Sequence, residues 1–157
     1  MKISLLVVGK TDAAYFAAAI DEYKGRLAHY IPFDIQVIPD LKSSKSLTTE
    51  QLKGKEGELI LKQLQQGDFL VLLDERGKEF SSLNFAAYIE KKMQTIPKRL
   101  VFAIGGAYGF SDAVYHRASD KISLSRMTFS HQMVRLIFVE QLYRAMTILN
   151  NEPYHHE

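Results

Sequence analysis

The chain has no cysteine, which excludes a disulfide scaffold, a cysteine-based zinc site and a cysteine nucleophile together. It also lacks any apolar run near the ~18 residues that a membrane-spanning helix needs. The apolar stretch in MKISLLVVGK is too short for the core of a signal peptide, and Lys10 and Asp12 follow it closely. A cytoplasmic protein with no membrane partner is expected. Charge of one sign is scarce, with a formal net of +2. Repeats and linkers are missing too, so residues 1–157 should form a single domain.

What is present belongs to an ordinary globular protein, 46% hydrophobic and 24% charged. A chain this long buries roughly 68–70% of its unfolded surface and needs neither disulfide nor metal to fold. The weak positive charge is unevenly spread. Between residues 98 and 144, Lys98, Arg99, Arg117, Lys121, Arg126, Arg135 and Arg144 stand against only Asp112, Asp120 and Glu140, whereas the first 97 residues balance. Such a stretch suits nucleic acid, and a solvated face accounts for it equally well.

Strand-like and helix-like patterns alternate. ISLLVVG (3–9) reads as a strand ending in glycine, and Asp12 is placed to cap a helix carrying Phe16, Ile20, Tyr23 and Leu27 at helical spacing. FDIQVIP (33–39) alternates like a half-buried strand. A polar loop, DLKSSKSLTT, precedes a second helix weakened by Gly54 and Gly57. FLVLLDERGK reads as a buried strand and polar turn, SSLNFAAYIEKKMQTI as a serine-capped helix, RLVFAIGG as a fourth strand, KISLS as a brief fifth, and HQMVRLIFVEQLYRAMTIL as a long last helix. Strands separated by helices predict an α/β fold, a mostly parallel sheet with helices on both faces, with ligands at the carboxyl ends of the strands. Three loops leave those ends: Leu73 to Gly77, the stretch IGGAYGFSD (104–112), and Leu124 to Phe129.

The glycine loop is neither of the common phosphate cradles. It lacks the lysine and hydroxyl of GxxxxGK[ST], and no acidic residue follows a GxGxxG where a ribose would need one. Two adjacent glycines and a third three residues later still suit a ligand touching backbone, or a tight turn with no ligand. In SLSRMTFSH, small hydroxyls and free backbone groups can satisfy a purine edge, while Ser130 caps the last helix. That helix is apolar nearly all round, which predicts cover on more than one side, by a second copy of the chain, with Glu140 and Arg144 pairing one turn apart. The tail ends NNEPYHHE; adjacent histidines point apart, so no metal site is expected there.

Taken together, IGGAYGFSD, SLSRMTFSHQMVR, VEQLYRA and EPYHHE, with the opening KISLLVVGK and the LDERGKEFSS turn, resemble the RlmH family of SPOUT methyltransferases along the whole chain. Ala107 stands where proline is more often expected. The resemblance implies a C-terminal trefoil knot and a homodimer whose sites draw on both subunits. It implies S-adenosylmethionine as methyl donor and N3 of a 23S rRNA pseudouridine, in the assembled ribosome, as acceptor. Carried over by position, Leu73, Gly105, Leu124, Ser125, Arg126, Met127, Thr128 and Phe129 would bind the donor. Alignment and removal of the imide proton then dominate the chemistry. Arg135 with His131, and Tyr154 with His155 in the tail, are the candidate catalytic groups, the tail reaching the partner's site. Lys42 to Ser46, Lys98 and Arg99 could touch RNA backbone. The alternative function is a non-enzymatic ribosome-associated RNA-binding factor, which would need the basic stretch but not three converging loops.

Overall fold

The computed structural model describes residues 1–41 and 46–156. Its five strands are β1 (Lys2–Val8), β2 (Phe33–Ile38), β3 (Phe69–Glu79), β4 (Arg99–Ile104) and β5 (Asp120–Ser123). Its helices are α1 (Ala14–Leu27), α2 (Thr49–Lys62), α3 (Ser82–Thr95), α4 (Asp112–Arg117) and α5 (His131–Leu149). The strands form one parallel sheet in the order β2-β1-β4-β3-β5. Alternation along the strands divides the core in two. Ile3, Leu5, Val7, Leu100 and Phe102 meet α1, α3 and α5, while Leu6, Val101, Ala103, Leu70 and Leu72 meet α2 and α4.

Four helices begin on hydroxyl caps: Thr48, Ser81, Ser111 and Ser130 each accept from a backbone N–H three residues on, and Thr48 forms a full capping box with Gln51. The expected cap by Asp12 is not made. Ala13 is the N-cap of α1, without a side-chain bond, and its N–H donates instead to Gln132 Oε1 of α5 at 2.9 Å. A contact between distant parts of the chain replaces the local one.

Two glycine-containing stretches also differ from expectation. Gly57 is the close-packing point of α2 on α4, since a Cβ there would lie 2.3 Å from Ser111 Oγ. The polar turn after FLVLL belongs to β3. Leu73 and Lys78 both register with Ile122 of β5, so residues 74–77 loop out of one continuous strand. Gly77 makes that return possible, because a Cβ would meet the Ile122 and Lys121 backbone at 2.7 Å.

From β5 at the sheet edge the chain returns as α5, packed between α1 and α3. Phe138, Val139, Leu142, Ala145 and Met146 enter the core beneath it, and Phe102 and Phe138 meet with ring centroids 4.8 Å apart. Much of the apolar perimeter of α5 is therefore covered inside the chain, more than its composition suggested.

Candidate active site

Leu73, at the end of the first stretch of β3, registers with Ile104 of β4 on one side and Ile122 of β5 on the other. Gly105 follows the first partner, and Ser123 and Leu124 follow the second. The three loops singled out from sequence thus leave adjacent strands at the same level. Beside them, a cavity of about 210 Å³ is lined by Ile122, Ser123, Leu124, Phe80, Phe85 and Ile137 among others. Ser123 Oγ is buried there with no partner among the described residues. An orphaned hydroxyl next to an irregular loop fits a nucleoside donor, which would supply polar atoms the protein leaves unmatched.

In that loop Ser125 Oγ accepts from Met127 N at 2.9 Å, Met127 is 77% exposed, and Arg126 Nε lies 3.0 Å from Glu79. Residues 124–129 therefore offer backbone and hydroxyl groups more than charge. Asp74, in the β3 loop, accepts from Arg76 N at 2.9 Å and from the Tyr115 hydroxyl. Burial and that carboxylate push the Tyr115 hydroxyl up to about 12.

The glycine loop closes on itself through Gly109 N–H to Gly106 O at 3.1 Å, with Gly109 at φ +83°. A Cβ at Gly105 would meet the Gly109 carbonyl carbon at 3.2 Å and the Phe110 ring at 3.3 Å. Its missing side chain thus serves the loop's own turn. At Gly106 a Cβ would come 2.4 Å from Glu56 Oε1, so this glycine admits a carboxylate from α2.

A larger cavity, about 540 Å³, lies on the other side of the loop, outside the ends of β1 and β4. The loop after β1 leads to α1 on one face of the sheet, and the loop after β4 leads to α4 on the opposite face. That divergence is the topological switch point where open α/β sheets bind ligands. Gly9, Lys10, Asp12, Asp40, Glu56, Gly106, Ala107, His131, Gln132 and Arg135 are among its walls. The loop at the end of β1, Asp40 and Glu56 escaped the sequence reading. One signal was available, since Glu56 interrupts the apolar stripe formed by Leu52 and Ile60 at helical spacing.

Arg135 is 3% exposed. Its Nη2 donates to Val8 O at 2.8 Å and its Nη1 to Thr11 Oγ1 at 3.0 Å, while Nε has no partner among the described residues. Burial lowers its pKa, and Asp40 and Asp12 act in the opposite sense. Glu56, 8% exposed, has its pKa raised by burial and by Asp40. Gly9, at φ +82°, makes room for Asp40 as Gly106 does for Glu56, a Cβ there falling 2.5 Å from Asp40 Oδ2.

The four candidate catalytic residues form two groups within one subunit. His131 and Arg135 share the large cavity, one turn apart. Tyr154 and His155 lie further along α5. The Tyr154 hydroxyl donates to Glu140 Oε1 at 3.0 Å, its ring packs edge-on to Tyr143 at 4.8 Å, and His155 Nδ1 is 3.1 Å from Arg144 Nη1. Burial raises the Tyr154 hydroxyl pKa. Arg144 and Glu140 pair at 2.6 Å, as expected from their spacing.

The basic stretch is mostly committed to internal contacts. Arg99 is buried, its Nε 3.1 Å from Asp68, so it is not an RNA contact. Arg117 donates to Asp68 O at 3.0 Å and Arg144 is tied to Glu140. Of the suggested RNA-contacting loop, residues 42–45 lie outside the described residues.

Comparison with known proteins follows the same path. A family model described as "Predicted SPOUT methyltransferase" matches residues 1–155. The chain belongs to the SPOUT methyltransferase family. Similar proteins named "Ribosomal RNA large subunit methyltransferase H" occur in Parabacteroides distasonis, Phocaeicola vulgatus and Bacteroides thetaiotaomicron, at 72%, 64% and 63% identity, each covering 100% of both chains. They support the resemblance to the RlmH family noted from sequence. The chain is thus an enzyme, and S-adenosylmethionine is its methyl donor. A non-enzymatic factor is set aside. Among the described residues no cluster of histidine and acidic groups could hold a metal ion, and no helix is long and apolar enough to cross a membrane.

Proposed function

We propose that this chain, a single domain over residues 1–157, methylates N3 of a pseudouridine in 23S rRNA on the assembled ribosome in the cytoplasm. The observation that carries it is full-length identity of 72% to a protein whose name specifies the large-subunit ribosomal RNA. The donor, when bound, supplies a methyl group on a positively charged sulfur. Leu73, Gly105 and Leu124 to Phe129 would hold it, with the glycine loop at the junction where the donor meets the β1–β4 cavity. Arg135, a cation without a carboxylate in direct contact, and His131 line the cavity at that junction. The Arg135 charge there favours the deprotonated form of an imide and fixes its oxygens by hydrogen bonds.

The working unit is a homodimer through the outward strip of α5, where Met133 is 39% exposed. Tyr154 and His155 then act on the partner's cavity, because in their own subunit they lie along Glu140 and Arg144, about three turns from the His131 end. Removing residues 153–157 abolishes methylation and leaves donor affinity intact; full activity of the truncated chain contradicts this. Mass mapping of 23S rRNA from a deletion strain, before and after incubation of its ribosomes with the protein and donor, tests the whole reading. One added methyl on one pseudouridine supports it, and an unchanged map refutes it.

A further inference from the structure

Glu56 is a carboxylate that the fold leaves unpaired. Among the described residues its carboxylate makes no hydrogen bond or ion pair, although the side chain sits on the apolar stripe of α2 and is more than nine-tenths buried. Its stem is buried, while its oxygens are not among the fully enclosed atoms, so the charge is exposed only through the β1–β4 cavity. The side chain lines that cavity, admitted by the missing side chain of Gly106. It stands on the opposite face of the sheet from Arg135, so a flat base entering the crevice meets a carboxylate from one side and a guanidinium from the other.

We infer that Glu56 is the base that takes the N3 proton in the methyl transfer proposed above, on which this assignment rests. The proton passes to a Glu56 carboxylate oxygen and then to water. The freed N3 electron pair forms the N–CH₃ bond as the donor's C–S bond breaks, leaving that bond's electrons on sulfur. The charged groups around the same cavity are Asp40 after β2, Lys10 and Asp12 after β1, and His131 and Arg135 on α5. Where α4 meets α2 at Gly57, it does so through the uncharged Ser111 and Val114. Burial and Asp40 hold the carboxyl above the usual range, which brings a weak base closer to working pH.

Glu56→Gln keeps the shape and removes the proton acceptor. Methylation of ribosomes from a deletion strain should slow by about 100-fold near neutral pH, and the deficit should shrink as rising pH deprotonates the imide without help. Donor affinity measured by calorimetry should stay within about twofold. The variant should also melt no lower than the wild type. With a folded pKa above the unfolded one, folding favours the neutral carboxyl; the carboxylate destabilises above the unfolded pKa, and glutamine relieves that. A lower Tm with a deficit independent of pH identifies a structural residue and overturns the assignment, as does a rate within about threefold of wild type. A wild type that transfers no methyl at all overturns the underlying function instead. Asp40→Asn adds a second check: the acid limb of the kcat profile moves to lower pH if Glu56 is the base, and an unmoved limb contradicts it.

Discussion

Among the described residues two arginines are buried, one at each end of the sheet. Arg99 begins β4 at the amino end and is answered by a carboxylate. Its Nε and Nη2 both reach the Asp68 carboxylate, and Nη2 also donates to Gln63 O at 2.9 Å. Arg135 lies at the carboxyl end, beside the cavity, and is answered only by a carbonyl and a hydroxyl, with Nε left over. Both are buried, so burial alone does not separate them. What separates them is neutralisation: one charge is matched by a carboxylate in contact with it, and the other, beside the cavity, has none. Glu56 extends the contrast, being a mostly buried carboxylate beside the cavity without the partner that Asp68 has at the amino end.

The contrast can be broken from either side. Removing half of the neutralised pair should hurt stability most: Asp68→Ala strands Arg99 and should cost about 3–5 kcal/mol in urea unfolding. A loss below about 1 kcal/mol would place the pair with exposed ones. Arg135→Gln, which can still donate a hydrogen bond but carries no charge, should change unfolding by about 1 kcal/mol or less. Ser130→Ala, which removes the cap that starts α5 one turn before Arg135, should cost about 1 kcal/mol. Smallest is Lys2→Met. The ion pair of Lys2 with Asp34 at 3.0 Å is also at the amino end of the sheet but exposed, and its loss should stay within about 0.5 kcal/mol. That last variant separates burial from position as the cause of the large effect at Asp68.

Most elements were legible in the sequence because their signals are local. Apolar runs ending at Gly9 and at Gly105, and serines at 81, 111 and 130, mark strand ends and helix starts within a few residues. The misjudged features depend on residues far apart in the chain. Gln132 replaces Asp12 as the partner of the α1 start across 119 positions, and the DERG turn belongs to a strand only because β5 lies beside it. The basic stretch looked like a surface for the same reason, since Asp68 lies 31 residues from Arg99. The three loops proposed to hold the donor were legible because each follows its own strand. The β1–β4 cavity was missed because its walls come from β1, the end of β2, α2, the glycine loop and α5, which only the fold unites.

The most direct test is the rate at which Arg135→Gln transfers labelled methyl to ribosomes of a deletion strain, at a folded fraction equal to wild type. A charge kept available for chemistry predicts a fall of about 100-fold or more. A rate equal to wild type would show that the unneutralised arginine serves only the packing of α5 on the β1 loop.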